Sequence, residues 1–209
     1  MARRPTLLLA VLLIISLVGC GSSDDEPPVT GVSVADDDGY RGIKLDQPYV
    51  VPDVPLTDTE GRPFQLAKQS DRTLVFFGYT HCPDVCQVVM STIASGLTKL
   101  SQAEQDQLQV VFVTTDPARD TGTVLRTYLD RFNPSFLGAT GSLADISALG
   151  KPLGIDIMKG DKLPSGGYEV SHTTNVVSVR GGEGDLVWTA STSPSDIAED
   201  LEKILEADS

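Results

Sequence analysis

Long apolar runs and helical repeats alternate through most of this 209-residue chain. Residues 74–79 (LVFFGY) and 109–115 (QVVFVTT) are nearly continuous β-rich apolar runs, which is typical of buried central strands. Between them, residues 85–100 carry apolar side chains at positions 85, 89, 93 and 97, a spacing that predicts an amphipathic helix. The first strand and this helix are joined by a polar turn.

The same pattern continues toward the C-terminus with shorter elements. It predicts, in chain order, a helix over 121–132, a strand over 136–139, a helix over 143–149, a β-hairpin of 175–179 and 186–189 around the glycine-rich turn 181–184, and a helix over 194–205 with Ser193 as its N-cap. This order of strands and helices is typical of a thioredoxin-like α/β domain. We therefore predict that fold, with its chemistry at the first strand-to-helix turn.

The N-terminus has the pattern of an export signal. Arg3 and Arg4 precede an apolar run over 7–18, which is too short to span a membrane comfortably. The residues Leu-Val-Gly-Cys that end at Cys20 resemble the lipobox of bacterial lipoproteins, in which the cysteine is acylated. We expect 1–19 to be a lipoprotein signal peptide and the protein to be lipid-anchored on the extracytoplasmic side of the cell membrane. An uncleaved anchor or an ordinary cleaved signal are the alternatives.

Charge and composition limit the classes of partner. The formal net charge is −13, and it would fall to −15 once residues 1–19 were removed. Such an acidic surface argues against nucleic acid as a partner and against electrostatic binding to anionic lipid. Residues 20–46 are rich in Gly, Ser, Asp and Pro and predict a flexible linker from the membrane. Residues 47–209 are then one monomeric domain, long enough to enclose a core.

Cys82 and Cys86 form an isolated C-x-x-x-C pair at the start of the first helix. Residues four apart share one face of a helix, so both sulfur atoms can face the same spot. The N-terminus of a helix favours negative charge, so we expect lowered thiol pKa values here. Two thiolates at one spot either oxidise together or bind a soft cation, for which Cu(I) is the best match and Zn(II) is eligible.

The protein has two histidines, and only one is well placed to join the cysteines. His81 is adjacent to Cys82, but neighbouring side chains tend to diverge. His172 precedes the strand predicted at 175–179, in a loop that a thioredoxin-like fold returns to the first helix. Two sulfurs and one imidazole would make a three-coordinate site suited to Cu(I), whereas zinc would require a fourth ligand.

Two readings without chemistry remain for the cysteines. Cys82 and Cys86 are either small buried apolar residues or a structural disulfide. Such a disulfide would close so short a loop that it would constrain the unfolded chain little.

Three motifs resemble those of the Sco/SenC family of copper chaperones. They are residues 77–86 (FGYTHCPDVC), 114–121 (TTDPARDT) and 171–173 (SHT), and they occur in the family's order across the domain. The resemblance implies a thioredoxin-like domain on a membrane anchor, with Cys82, Cys86 and His172 as ligands of copper. It also implies delivery of that copper to the copper-centre subunit of a haem–copper oxidase. Whether the copper is Cu(I), Cu(II) or both stays open.

The sequence departs from the family pattern at two positions. Gln87 replaces a proline that often follows the second cysteine, and Ser171 stands where an aspartate commonly precedes the histidine. Neither residue supplies a donor atom. Asp116 is a candidate supporting residue, because the second motif places an acid near the metal loop. Alternatively, Asp116 and Asp120 organise a turn and cap the next helix.

Three functions compete on the sequence alone. The first is a metallochaperone that binds copper without catalysing a reaction. The second is a thiol–disulfide oxidoreductase that uses Cys82 and Cys86 as a redox pair. Such enzymes usually carry C-x-x-C and a cis-proline, whereas the spacing here is longer and Thr173-Thr174 occupies the proline region. The third, a peroxiredoxin, fits poorly because Thr80 is two residues before Cys82 rather than three.

Overall fold

An eight-stranded sheet forms the centre of the protein in the computed structural model, which describes residues 39–162 and 168–208. The predicted signal peptide, Cys20 and linker residues 20–38 lie outside these residues. The strands are β1 (Ile43–Val50), β2 (Leu56–Asp58), β3 (Pro63–Phe64), β4 (Arg72–Gly78), β5 (Leu108–Thr114), β6 (Leu137–Thr140), β7 (Ile157–Lys162), β8 (Tyr168–His172), β9 (Val176–Arg180) and β10 (Glu183–Trp188). The helices are α1 (Val85–Leu97), α2 (Gln102–Gln105), α3 (Gly122–Leu129), α4 (Leu143–Gly150) and α5 (Pro194–Asp208).

The sheet has the strand order β1-β10-β9-β4-β5-β6-β2-β3. Strands β4, β5 and β6 are parallel, and β9 runs antiparallel to β4. Strands β7 and β8 form a separate antiparallel ribbon. This mixed α/β architecture is a thioredoxin-like fold, as the sequence pattern predicted. None of the helices within 39–162 and 168–208 is both long enough and apolar enough to cross a membrane.

Strand β4 is buried throughout because helices and loops cover both faces of the sheet. Leu74 and Phe76 belong to a core shared with α1, α3 and α5, whereas Val75 and Phe77 belong to a second core that includes α4. This alternation is the two-residue period of a strand with apolar cover on both sides. The carboxyl end of β4, where the cysteine turn starts, is therefore held between two packed layers.

Most predicted elements are confirmed with small shifts of their ends. Helix α1 ends at Leu97 rather than 100, α3 ends at Leu129 rather than 132, and the hairpin turn is shorter than predicted because Glu183 and Gly184 belong to β10. Ser193 caps α5 as expected, since the Asp196 amide donates to its hydroxyl at 3.2 Å.

Several elements were missed by the sequence analysis. Strands β1 to β3, helix α2 and the β7–β8 ribbon were not predicted, and β1 begins at Ile43, inside the segment 20–46 that was assigned to the linker. Strand β1 places only Leu45 in the core, which explains its weak pattern. His172 also differs from the expectation, because it is the last residue of β8 and not part of a loop.

Gly78 ends β4 and sets the direction of the cysteine turn. Its carbonyl accepts hydrogen bonds from the Thr115 amide at 2.6 Å and the Thr115 hydroxyl at 3.2 Å, which ties the ends of β4 and β5 together. A Cβ atom at this position would lie 2.9 Å from the rings of Phe76 and Phe112. Glycine is therefore required for this close approach.

A buried carboxylate fixes the start of the domain to its last helix. Asp200 is 1% exposed and accepts hydrogen bonds from the Arg41 and Gly42 amides and from Trp188 Nε1, each at 2.7 Å. Buried carboxylates are stable only when such donors compensate for lost hydration. Residues 41 and 42, near the end of the segment predicted as linker, are thus anchored on α5.

We predict that Asp200→Ala lowers the free energy of unfolding by about 3 kcal/mol, because it leaves the buried Trp188 N–H and the partly buried Arg41 and Gly42 amides without their acceptor. Urea denaturation followed by far-UV circular dichroism measures the change. Glu206→Ala, an exposed change on the same helix, is the control and should stay within about 0.5 kcal/mol of the wild type. Equal stability of the two variants would contradict the anchoring role.

Candidate metal centre

The two cysteines lie at the start of α1 and are both free thiols. Cys82 is 6% exposed and Cys86 is fully buried. The Cys82 amide closes a turn on the Tyr79 carbonyl at 3.2 Å, and the Cys86 amide donates to Cys82 Sγ at 3.4 Å. Asp84, at the N-cap position, supplies no side-chain acceptor. The sulfur of Cys82 therefore satisfies one of the free amides at the N-terminus of α1.

Asp120 holds the residue before this turn in place. Its fully buried carboxylate accepts hydrogen bonds from the Thr80 amide at 2.9 Å, the Thr80 hydroxyl at 2.6 Å and the Thr114 hydroxyl at 2.7 Å. These bonds connect the cysteine turn to the end of β5. The sequence analysis assigned Asp120 a turn or a cap, but Thr121 is the residue that caps α3. The buried clamp had no signal in the sequence apart from the motif that contains it.

The β7–β8 ribbon brings His172 to the cysteines. His172 pairs with Ile157 in the ribbon, and its Nε2 atom lies 3.6 Å from Cys86 Sγ across 86 residues of sequence. Its ring also contacts the Phe76 and Tyr79 rings edge-on, with centroids 6.1 and 6.0 Å away. These contacts fix the plane of the imidazole against the end of β4.

The hydrogen bonds of His172 define which ring nitrogen carries the proton. Nδ1 lies 3.0 Å from the Thr173 carbonyl oxygen, which can only accept, so Nδ1 is the donor. Burial lowers the pKa of His172, against a smaller opposite effect of the Thr173 carbonyl, so the ring is neutral near pH 7. Nε2 then carries a lone pair on the side of Cys86, which is the arrangement found in histidines that bind metals.

The protonation of Cys86 differs from the sequence expectation. Burial and the neighbouring Cys82 sulfur raise the pKa of the Cys86 thiol far above its usual range, so the expected lowering by the helix N-terminus does not occur at this residue. Cys86 therefore keeps its proton in the metal-free protein. A metal ion that binds there must displace this proton.

The separation of Cys86 and His172 fits donors that share one ion. Imidazole nitrogen and thiolate sulfur bind first-row metals at roughly 2.0 and 2.3 Å, so two such donors at a trigonal angle lie about 3.7 Å apart. In the part of the chain that the structure describes, no three Cys, His, Asp or Glu side chains form a closed metal cage. The three candidate donors thus comprise one pair at binding distance and Cys82 beside it, held by the Cys86 amide.

Asp116 connects to the site indirectly. It is 3% exposed and forms an ion pair with Arg119, whose guanidinium lies 5.7 Å from the centre of the Tyr79 ring. Tyr79 in turn contacts the His172 ring. One link from this carboxylate to the candidate donors runs through the side chains of Arg119 and Tyr79. The role of Asp116 as a supporting residue stays a prediction.

Comparison with known proteins identifies the relatives of this chain. A family model described as SCO1/SenC matches residues 44–206. The chain belongs to the SCO1/SenC family. This match contains all three motifs and every residue of the candidate site.

Individual relatives agree with the family assignment. A protein of Stutzerimonas stutzeri whose name describes copper binding is 35% identical over 145 residues, which are 69% of this chain and 70% of that protein. Other SCO1/SenC relatives are longer: the matched region covers 44% of the mitochondrial protein SCO2 of Saccharomyces cerevisiae.

Solved structures match the fold along most of its length. Apo Sco1 of Thermus thermophilus is 32% identical with a TM-score of 0.72, covering 79% of this chain and 96% of that one. ScoI of Bradyrhizobium japonicum, solved with copper bound, is 29% identical with a TM-score of 0.66, covering 74% of this chain and 98% of that one.

We predict that His172 makes the metal-free, reduced protein less stable as the pH falls. Its pKa in the folded protein is below the ordinary value of 6.5, so below that pH the unfolded chain takes up a proton that the folded protein excludes. The free energy of unfolding of the wild type should therefore decrease, relative to that of His172→Gln, between pH 7.5 and about 5.5.

Urea denaturation at a series of pH values measures this difference. His81→Gln removes the protein's other histidine and is the matched control. A difference between wild type and His172→Gln that does not change with pH would contradict the buried, neutral imidazole.

Proposed function

We propose that this protein is a membrane-anchored copper metallochaperone that binds one copper ion through Cys82, Cys86 and His172. The observation that carries the proposal is the contact between Cys86 Sγ and His172 Nε2, which presents an imidazole lone pair beside the thiol pair. The copper-binding relative and the copper-bound ScoI structure support copper as the cargo.

The donor set favours Cu(I) over Zn(II). Two thiolates and one imidazole supply three donors, two of them soft, which suits Cu(I), whereas a structural zinc site requires four ligands. The carboxylate of Asp116, the candidate supporting residue, is paired with Arg119. On the His172 side, the imidazole packs edge-on against the rings of Phe76 and Tyr79.

Release of the ion would proceed by stepwise ligand exchange. Each donor of the acceptor protein replaces one donor of this site, so copper is never without ligands and its oxidation state does not change. Because burial favours the protonated form of Cys86, a proton returns to this sulfur as copper leaves. Protonation thereby favours release of the cargo to the acceptor.

The cellular setting follows from the sequence and from the family. We propose that residues 1–19 are removed, that Cys20 is acylated, and that residues 20–40 form the linker between the membrane and the residues anchored on Asp200, Arg41 and Gly42. The domain then works outside the cytoplasm and delivers copper to the copper-centre subunit of a haem–copper oxidase. The acceptor comes from the family resemblance alone.

We predict that the reduced wild-type protein binds one Cu(I) ion and that Cys82→Ser, Cys86→Ser and His172→Ala each weaken binding. The loss should exceed about 100-fold, since loss of an outer-shell partner alone typically costs about 10–100-fold. Competition with a chromogenic Cu(I) chelator measures the affinity, and Gln87→Ala, an exposed change next to Cys86, is the control. No binding near unit stoichiometry, or unchanged binding by Cys82→Ser, would refute the proposal.

A thiol–disulfide oxidoreductase is the second candidate function. Cys82 is the more accessible sulfur and accepts the Cys86 amide, while Cys86 is buried behind it, an arrangement that resembles an attacking and a resolving thiol. The two functions are compatible, because oxidation of the pair to a disulfide removes both sulfur donors of the copper site.

The two functions separate at His172. A copper site predicts that His172→Ala loses Cu(I) affinity, whereas reduction of a disulfide substrate needs Cys82 and Cys86 only. Disulfide turnover by the wild type is measured with a reductant and a fluorescent disulfide peptide. Fast turnover that survives His172→Ala, in a protein that binds no copper, would favour the oxidoreductase over the metallochaperone.

A further inference from the structure

The candidate copper donors are difficult to reach from solvent. Cys82 is 6% exposed, Cys86 is fully buried, and His172 directs Nε2 toward Cys86. A copper ion delivered by another molecule still carries that molecule's ligands and cannot contact Cys86 first. The site therefore requires a donor that is accessible from solvent, next to Cys82.

His81 is an accessible nitrogen donor next to Cys82 in the sequence. It directly precedes Cys82 in the turn, and its side chain is 55% exposed. Its Nδ1 atom lies 3.0 Å from the Thr80 hydroxyl oxygen, and 3.7 Å from Asp120 Oδ1. The imidazole is thus attached to the same clamp that positions the cysteine turn.

The clamp determines which nitrogen of His81 is free in the neutral ring. Thr80 has one hydroxyl proton, and the 2.6 Å bond to Asp120 Oδ1 uses it, because the carboxylate can only accept. Toward His81 the Thr80 oxygen therefore offers only lone pairs, so Nδ1 must donate. Nε2 is left with the lone pair, as in His172. A carboxylate or hydroxyl that orients the second ring nitrogen is a recurrent feature of metal-binding histidines.

We infer that His81 is the entry ligand, which takes hold of Cu(I) through Nε2 while the delivering molecule still holds it. This inference rests on the proposed copper-binding function and adds to it a step and a residue. His81 is not one of the three resident donors of the proposal, because the trigonal site is already complete without it.

The exchange of ligands balances without any redox step. A bond between copper and His81 Nε2 replaces one bond to the delivering molecule. Cys82 Sγ, the less buried sulfur, then replaces His81, and its thiol proton leaves to water or to the released donor. Cys86 Sγ, which also gives up its thiol proton, and His172 Nε2 then replace the remaining bonds to the delivering molecule, while copper remains Cu(I) throughout.

The test compares the rate of copper uptake with the equilibrium affinity. Stopped-flow mixing of the reduced apoprotein with the Cu(I)–bicinchoninate complex records uptake as loss of the chelate colour. His81→Ala should slow uptake about tenfold, equal to about 1.4 kcal/mol in the activation free energy, while the affinity stays unchanged. Thr80→Val, which removes the hydroxyl but keeps the side-chain shape, should slow it less, and Gln87→Ala should match the wild type.

A second measurement needs no copper. Long-range ¹H–¹⁵N NMR of the metal-free protein should show His81 with its proton on Nδ1, and Thr80→Val should shift the ring toward the other tautomer.

Uptake by His81→Ala at the wild-type rate would overturn the entry role alone. A parallel loss of affinity and uptake rate in His81→Ala would show that His81 is a resident ligand. That result would also overturn the entry role. Failure of the wild type to bind Cu(I) at equilibrium would overturn the proposed function as well.

Discussion

The contact between Cys86 Sγ and His172 Nε2 is the constraint on which the site depends. It joins two residues 86 positions apart, one at the start of α1 and one at the end of β8. The parallel strands β4 and β5 fix the first partner through Gly78 and the Thr115 hydrogen bonds. The Thr173 carbonyl and two aromatic rings fix the second. Without this contact the protein would have a thiol pair but no third donor.

Burial has two consequences at this site that act together. It keeps His172 neutral, so that a lone pair is available, and it keeps Cys86 protonated until a cation replaces the proton. In the metal-free protein Cys86 and His172 are therefore both uncharged, and the cysteines are not a pair of repelling thiolates. Burial also restricts access to the candidate donors. The exposed imidazole of His81, held by Thr80 and Asp120, is for this reason the proposed entry ligand.

The central elements could be predicted because their patterns are simple. Strand β4 is buried on both sides and reads as a continuous apolar run, and α1 repeats its apolar residues every four positions. Strand β1 could not be predicted, since it is an edge strand that buries only Leu45 and contains Pro48, which disfavours a central strand. The β7–β8 ribbon was missed, so His172 was placed in a loop, although its approach to the cysteines follows from the fold.

Other features of the site depend on contacts that no local pattern contains. The donors to the Asp120 carboxylate are distributed over the cysteine turn and the end of β5, and only the folded chain shows that one carboxylate accepts from both. The protonation of Cys86 is a second example. Its position at the helix N-terminus suggests a lowered pKa, and only the depth of burial reverses that direction. The sequence motifs thus indicate the candidate donors, and packing determines the protonation of Cys86 and His172 and the access to them.

X-ray absorption spectroscopy at the copper edge, on the reduced protein loaded with one Cu(I), tests the shared site most directly. The account predicts two sulfur donors and one imidazole nitrogen at roughly 2.0–2.3 Å, with the imidazole scattering lost in His172→Ala and retained in His81→Ala. A first shell of sulfur alone, or an imidazole signal that survives His172→Ala, would contradict it.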